Sequence, residues 1–198
     1  MKLAYVVGHD HSMKTMFDRE PGYMSTSSAN LADIHVFIGG ADINPEFYKQ
    51  KPHPKTHSNI FSDERDVKHW NEYKNRGKIF VGICRGAQFL NAVNGGKLWQ
   101  HVEGHLGSHT LIDLFTNTEL LVTSTHHQMM RAGPDGEVLA IAHKATLKQD
   151  DIEMNGTEEF DTEVVWYPKS SSFCFQPHPE YDSKTTKEYF FNLLNRIL

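Results

Sequence analysis

Apolar and polar positions follow two rhythms along this chain. Short runs rich in β-branched and aromatic residues stand at KLAYVVG (2–8), HVFIGG (35–40) and KIFVGI (78–83), each with a glycine at or beside one end. Apolar runs of that length bounded by turn residues predict buried strands. Between the second and third, SDERDVKHWNEYKNRG (62–77) opens with Ser62 and acids and closes with Lys74, Arg76 and Gly77. Val67, Trp70 and Tyr73 mark one face, so the segment predicts a helix with start and stop signals in place. RGAQFLNAVN (85–94), closed by Gly95–Gly96, predicts the helix after the third strand. LLVTSTHHQ (120–128), EVLAIAHK (137–144), TEVVWYP (162–168) and SFCFQPHPE (172–180) predict strands, and SKTTKEYFFNLLNRIL (183–198) a capped amphipathic terminal helix.

Two stretches lack a clear rhythm. Residues 9–35 look poorly helical, with EPGY as a turn and STSSANLAD as a polar stretch able to cap one helical turn. Pro45, Pro52 and Pro54 make residues 41–60 largely loop. Strands alternating with helices early and closely spaced strands later predict an α/β sandwich with a mainly parallel central sheet and an antiparallel extension. No repeat, low-complexity tract or linker divides residues 1–198, which are expected to form one domain.

Composition narrows the function classes. A chain of 198 residues, 38% hydrophobic and 23% charged, can bury a full core. Its net charge of −5 offers no basic patch for nucleic acid. No run approaches the roughly 20 apolar residues of a membrane helix, and the apolar run before Gly8 is too short for a signal-peptide core. Two cysteines, Cys84 and Cys174, make no disulfide framework, so a cytoplasmic protein with reduced thiols is expected. NGT at 155–157 would be a glycosylation acceptor only in a secreted chain.

The chemistry concentrates where a strand meets a helix. In GICRG (82–86), Cys84 falls at the bend, and Gly82 and Gly86 would let neighbouring segments pack close to it. Such a bend lifts the side chain above the carboxyl edge of the sheet, where open α/β sheets bind ligands. It also places sulfur at a helix N-terminus, whose partial positive charge favours an anion. A buried structural cysteine is the alternative reading; the flanking glycines and the strand-to-helix switch favour a nucleophile. A cysteine nucleophile needs a base, and the base an orienting group. QPHPE (176–180) supplies His178 and Glu180, with Pro179 between them able to turn the backbone so that both address one point.

GICRGAQFLNAVNGGKLWQ followed by QPHPE resembles the class I glutamine amidotransferase superfamily. It is most similar to the peptidase C26-like γ-glutamyl hydrolase branch, which includes the γ-glutamyl-γ-aminobutyrate hydrolases. GGADINPEFY (39–48), Arg65–Asp66 and TSTHHQ (123–128) resemble further motifs of that branch in the same order. The resemblance implies a flavodoxin-like three-layer fold and a γ-glutamyl thioester on Cys84, with His178 as base or acid and Glu180 fixing its tautomer. It implies an oxyanion hole from the backbone N–H groups of Gly40 and Arg85, and places Gln88, His126, His127 and Gln128 near the glutamyl moiety. The implied substrate is a small γ-glutamyl compound such as glutamine, with no cofactor. An alternative is a glutaminase subunit passing ammonia to a separate synthetase; another is a degenerate, non-catalytic binding protein. The chain departs from the family at Thr123, where Asn is usual, and at Pro177, where an aromatic or small residue is usual. Residues 9–35 are also short for the helix and strand the family places there.

Other polar residues carry two readings each. Asp42, beside the Gly39–Gly40 loop, could bind a substrate amine or cap a turn. His9, Asp10 and His11 could line the site or sit in a solvated loop. His101, His105 and His109 stand four apart, a ligand spacing if helical, but Gly104 and Gly107 argue against a helix and carboxylates nearby are sparse. A surface or substrate loop is the preferred reading there, and no metal is expected.

Overall fold

The computed structural model describes residues 1–143, 145, 147–150, 160–181 and 183–198. The chain opens with strand β1 (Lys2–Val7), helix α1 (His11–Arg19) and a short strand β2 (Tyr23–Ser25). Helix and strand therefore do occupy the stretch whose pattern is poorly helical. Asp10 caps α1 by accepting from Met13 N at 2.9 Å, and Met13, Met16 and Phe17 are buried on one side of it. Three apolar residues suffice as a stripe, because the helix is only nine residues long.

Strand β3 (Ile34–Phe37) is followed by a 3₁₀ turn at Pro45–Tyr48 and helix α2 (Ile60–Tyr73). Asn59, not Ser62, caps α2, accepting from the N–H groups of Phe61 and Ser62. Strand β4 (Ile79–Ile83) and helix α3 (Arg85–Val93) come next. The second half holds β5 (Lys97–Trp99), β6 (His101–Val102), β7 (Leu106–Asp113), β8 (Thr118–Thr125), β9 (Met129–Arg131) and β10 (Glu137–His143). It ends with β11 (Lys148–Gln149), β12 (Phe160–Tyr167), β13 (Ser172–Phe175) and helix α4 (Lys184–Ile197), capped by Ser183.

The sheet order is β2-β1-β3-β4-β13-β12-β10-β7-β8. The first five strands are parallel, and β12, β10, β7 and β8 continue the sheet antiparallel. Strands β9 and β5 lie beside β12, and β6 pairs separately with β11. Successive strand residues point to opposite faces, so Val6, Val36, Val81 and Phe173 meet α1 and α4 in one core. Val7, Phe37, Phe80 and Cys174 meet α2 and α3 in the other. The outcome is the expected α/β architecture of three layers, with a mainly parallel centre and an antiparallel extension.

Two boundaries differ from expectation. Strand β13 stops at Phe175, ahead of Pro177 and Pro179, which cannot donate to a ladder. The segment expected to be a histidine-bearing loop is mostly strand β7, paired with β8 from Leu106↔Thr125 to Asp113↔Thr118. Its glycines and histidines hide the alternation that pairing imposes. Lys144 and the NGT at 155–157 lie outside the described residues. Cys84 and Cys174 are both free, and among the described residues no helix is long and apolar enough to cross a membrane.

Candidate active site

Strand β4 ends at Ile83 and α3 begins at Arg85, so Cys84 alone makes the bend. Its backbone lies at φ 50°, ψ −111°, a region that costs a non-glycine residue of order 1–3 kcal/mol and persists only where surroundings enforce it. Here they do. Cys84 N donates to Phe175 O at 3.0 Å and Cys84 O accepts from Gln88 N at 3.1 Å. A side chain on Gly82 would overlap the Gly86 carbonyl, and one on Gly86 would overlap the Phe37 carbonyl. The two glycines thus let α3 pack directly on the strand backbones, as their positions predicted.

The thiol is only 7% exposed and borders one apolar core. Its open side faces a cavity of about 360 Å³ walled by Gly39–Gly40, Thr125 and the His178–Tyr181 segment, with Asp10 and Ser12 at the start of α1. That size suits a small substrate. A larger hollow of about 590 Å³ lies around Asp113, Phe115 and Arg196, remote from the sulfur. Chemistry rather than volume selects the smaller one.

His178 reaches the cavity from the loop after β13. Its N–H donates to Thr123 O at 3.0 Å, and its carbonyl accepts from Thr123 Oγ1 at 2.7 Å. Thr123, a departure from the family pattern, therefore braces the histidine backbone directly. Glu180 Oε1 lies 2.6 Å from Nδ1, Thr125 Oγ1 lies 2.9 Å from Nε2, and the Tyr181 ring stacks on the imidazole at 4.3 Å. Burial pulls the His178 pKa down, but hydrogen bonds to Cys84 and Glu180 outweigh it and lift the value to about 10. Gly39 lies under this contact. A Cβ there would sit 3.1 Å from His178 Cε1 and 3.7 Å from Cys84 Cβ.

Gly40 and Arg85 are neighbours, since a Cβ on Gly40 would fall 3.5 Å from Arg85 Cδ. Arg85 opens α3, where backbone N–H groups lack helical acceptors. Its side chain turns away from the cavity, into a buried ion pair with Asp63 and Asp66 of α2.

The residues expected around a glutamyl group are not among those that line this cavity. Gln88 is buried, with Nε2 donating to Gln128 O at 3.2 Å and to Gln176 Oε1 at 3.3 Å. Gln128 is buried too and donates to Thr56 Oγ1 at 3.2 Å. Asp42 pairs with His127 Nε2 at 3.1 Å and accepts from His57 N at 2.8 Å, which braces its loop. His126 faces Glu163 of β12. Thr125, Tyr181 and Ser12, unremarked in the sequence, line the cavity instead. Thr125 had one available signal, its place at the end of a strand just before His126–His127.

Comparison with known proteins joins this geometry to a lineage. The Peptidase C26 family model matches residues 17–112, a span holding Gly39–Gly40 and Cys84. Protein NtpR of Enterococcus hirae is 30% identical over 194 residues, covering 84% of this chain and 76% of NtpR. A candidate glutamine amidotransferase of Mycobacterium tuberculosis is 30% identical over 161 residues, covering 71% of this chain and 52% of that protein. Among solved structures, a candidate GMP synthase subunit from Thermoplasma acidophilum matches with a TM-score of 0.67 at 17% identity, over 100% of this chain and 94% of that one. At that identity the likeness establishes a shared fold.

Proposed function

We propose, from the premise that this chain belongs to the class I glutamine amidotransferase superfamily, that it hydrolyses a γ-glutamyl amide through a thioester on Cys84. The observation that carries this reading is that Cys84, His178 and Glu180 line one cavity of about 360 Å³, with Glu180 Oε1 2.6 Å from His178 Nδ1. The Cys84 thiol passes its proton to His178, the thiolate attacks the amide carbonyl carbon, and the carbonyl oxygen becomes an oxyanion. The N–H groups of Gly40 and Arg85 are the donors for it, and fixed backbone dipoles need no reorganisation as charge develops. His178, holding a proton up to about pH 10, gives it to the leaving nitrogen as the C–N bond breaks. It then takes a proton from water, which attacks the thioester and releases the γ-carboxylate. Glu180 holds Nδ1 protonated, so that Nε2 faces the chemistry.

The test is a glutamine-like diazo-ketone followed by mass spectrometry. A γ-glutamyl-sized adduct on Cys84, absent in Cys84→Ala, is the expected result. Cys174 is the internal control, because it is fully buried and burial pushes its thiol pKa well up. Label on Cys174 alone, or none on a folded protein, would overturn the assignment.

A second reading keeps the chemistry and changes its purpose. The structural likeness to a candidate GMP synthase subunit supports a glutaminase subunit that hands ammonia to a separate synthetase. Glutamine hydrolysis that appears only when a synthetase partner is added would select it.

A further inference from the structure

Away from the sulfur, four side chains from distant stretches meet on the antiparallel extension. His105 precedes β7, His109 lies within it, His126 follows β8, and Glu163 lies in β12. One ligating atom from each falls within 4.8 Å of all the others. Three imidazole nitrogens approach a single oxygen, Glu163 Oε1. His105 Nδ1 stands at 3.2 Å, His109 Nε2 at 3.2 Å and His126 Nε2 at 3.5 Å.

These contacts do not have the directions of hydrogen bonds. All three nitrogens and both Glu163 oxygens are buried without a hydrogen-bond partner among the described residues. Buried polar atoms are almost always paired, so five unpaired ones around one point need an explanation. The far sides of two rings supply it. His105 Nε2 donates to Asp161 Oδ2 at 2.7 Å, and Asp161 is itself held by Lys148 and by Ala145 N. His126 Nδ1 donates to the Gln128 carbonyl at 2.9 Å. With the far nitrogen of each of these rings donating, the near nitrogen is the one placed to offer a lone pair to a cation beside the carboxylate. A proton on one ring would satisfy one of these atoms, whereas a metal cation satisfies all four ligands together.

We infer that His105, His109, His126 and Glu163 form a zinc site. Three imidazoles and one carboxylate are a borderline-soft donor set suited to four-coordinate Zn²⁺, and too nitrogen-rich for Mg²⁺ or Ca²⁺. The Asp161 carboxylate and the Gln128 carbonyl are the outer partners that zinc-bound histidines customarily have. Access exists as well. A cavity of about 250 Å³ reaches His105 and His109 past Gly104 and Ala142, and His109 keeps 12% of its side chain exposed. The bound ion ties β7, the turn after β8 and β12 into one unit. Thr125, adjacent to His126, contacts His178, so the same unit borders the catalytic cavity.

Untagged protein, stripped with a chelator and titrated with Co²⁺ and then Zn²⁺, provides the test. About one Co²⁺ per chain, with the intense visible absorption of tetrahedral coordination and displacement by Zn²⁺, is expected. Asp161→Asn should weaken zinc by roughly 10–100-fold, and His109→Ala by more than that. His101→Ala should leave affinity unchanged. Circular dichroism in chelator separates lost binding from lost fold, and should a variant not fold, the wild-type cobalt spectrum decides alone. A stripped, folded wild type that takes up no Co²⁺ would overturn the inference, as would wild-type affinity in folded His109→Ala.

Discussion

Each atom of the proposed relay depends on a neighbour that leaves room for it. Gly39 is the clearest case, since the imidazole and the cysteine Cβ both lie over its missing side chain. In Gly39→Ala the ring must shift by a few tenths of an ångström. A misplacement of about 1 Å at a reacting group costs about 10²-fold, so this smaller shift should lower kcat by less than that, while the fold should persist. Steady-state kinetics beside a thermal melt will show whether kcat falls alone. Glu180→Gln should lower kcat less than His178→Ala does, with the histidine variant losing on the order of 10²–10⁴-fold. Equal activity of Glu180→Gln and wild type would remove the carboxylate from the mechanism. These residues were legible in the sequence because glycines flanking a cysteine, and a histidine two residues from a glutamate, are local patterns. Thr125 was not, since a threonine ending a strand is unremarkable until His178 arrives beside it.

Between elements, a buried ion pair joins α2 to the first residue of α3, next to the cysteine bend. Arg85, 1% exposed, carries its guanidinium to Asp63 and Asp66, which are also fully buried. Burial raises the Asp63 carboxyl pKa, and the Arg85 charge works against that rise. Removing the arginine would leave the buried Asp63 carboxylate without its cation and Asp66 with Arg65 alone. Arg85→Ala should therefore cost about 3–5 kcal/mol, read as a lowered urea midpoint, with Arg85→Lys recovering part of it. At this scale the sequence was partly legible. Helix α4 announced itself through its Ser183 cap and apolar face, α2 through its apolar face and α3 through the closing Gly95–Gly96, while the cap of α2 proved to be Asn59. Helix α1 and strand β7 did not: the first shows a stripe of only three residues, and the second mixes histidines and glycines into its alternation. Packing of α1 on β1 and β2, and pairing of β7 with β8, supplied what local preference lacked.

For the whole molecule, stability and the proposed chemistry share one proton. His178 binds it more tightly folded, with a pKa near 10, than unfolded, near 6.5. Its stabilisation is therefore complete below about pH 6.5, declines as pH rises, and is gone above about pH 10. The gap in urea midpoint between wild type and His178→Gln should be widest near pH 6 and close toward pH 10; a gap independent of pH would refute the shift. The sequence by itself determined the layered α/β architecture and the bend that presents Cys84, because hydrophobic period and glycine placement act over neighbouring residues. Only the tertiary structure decided which polar residues share a space. Parallel pairing of β13 with β4 brings the loop carrying His178 to the thiol. Pairing of β7, β8, β10 and β12 gathers three histidines around Glu163. Those meetings join residues far apart in the chain, and no local rhythm records them.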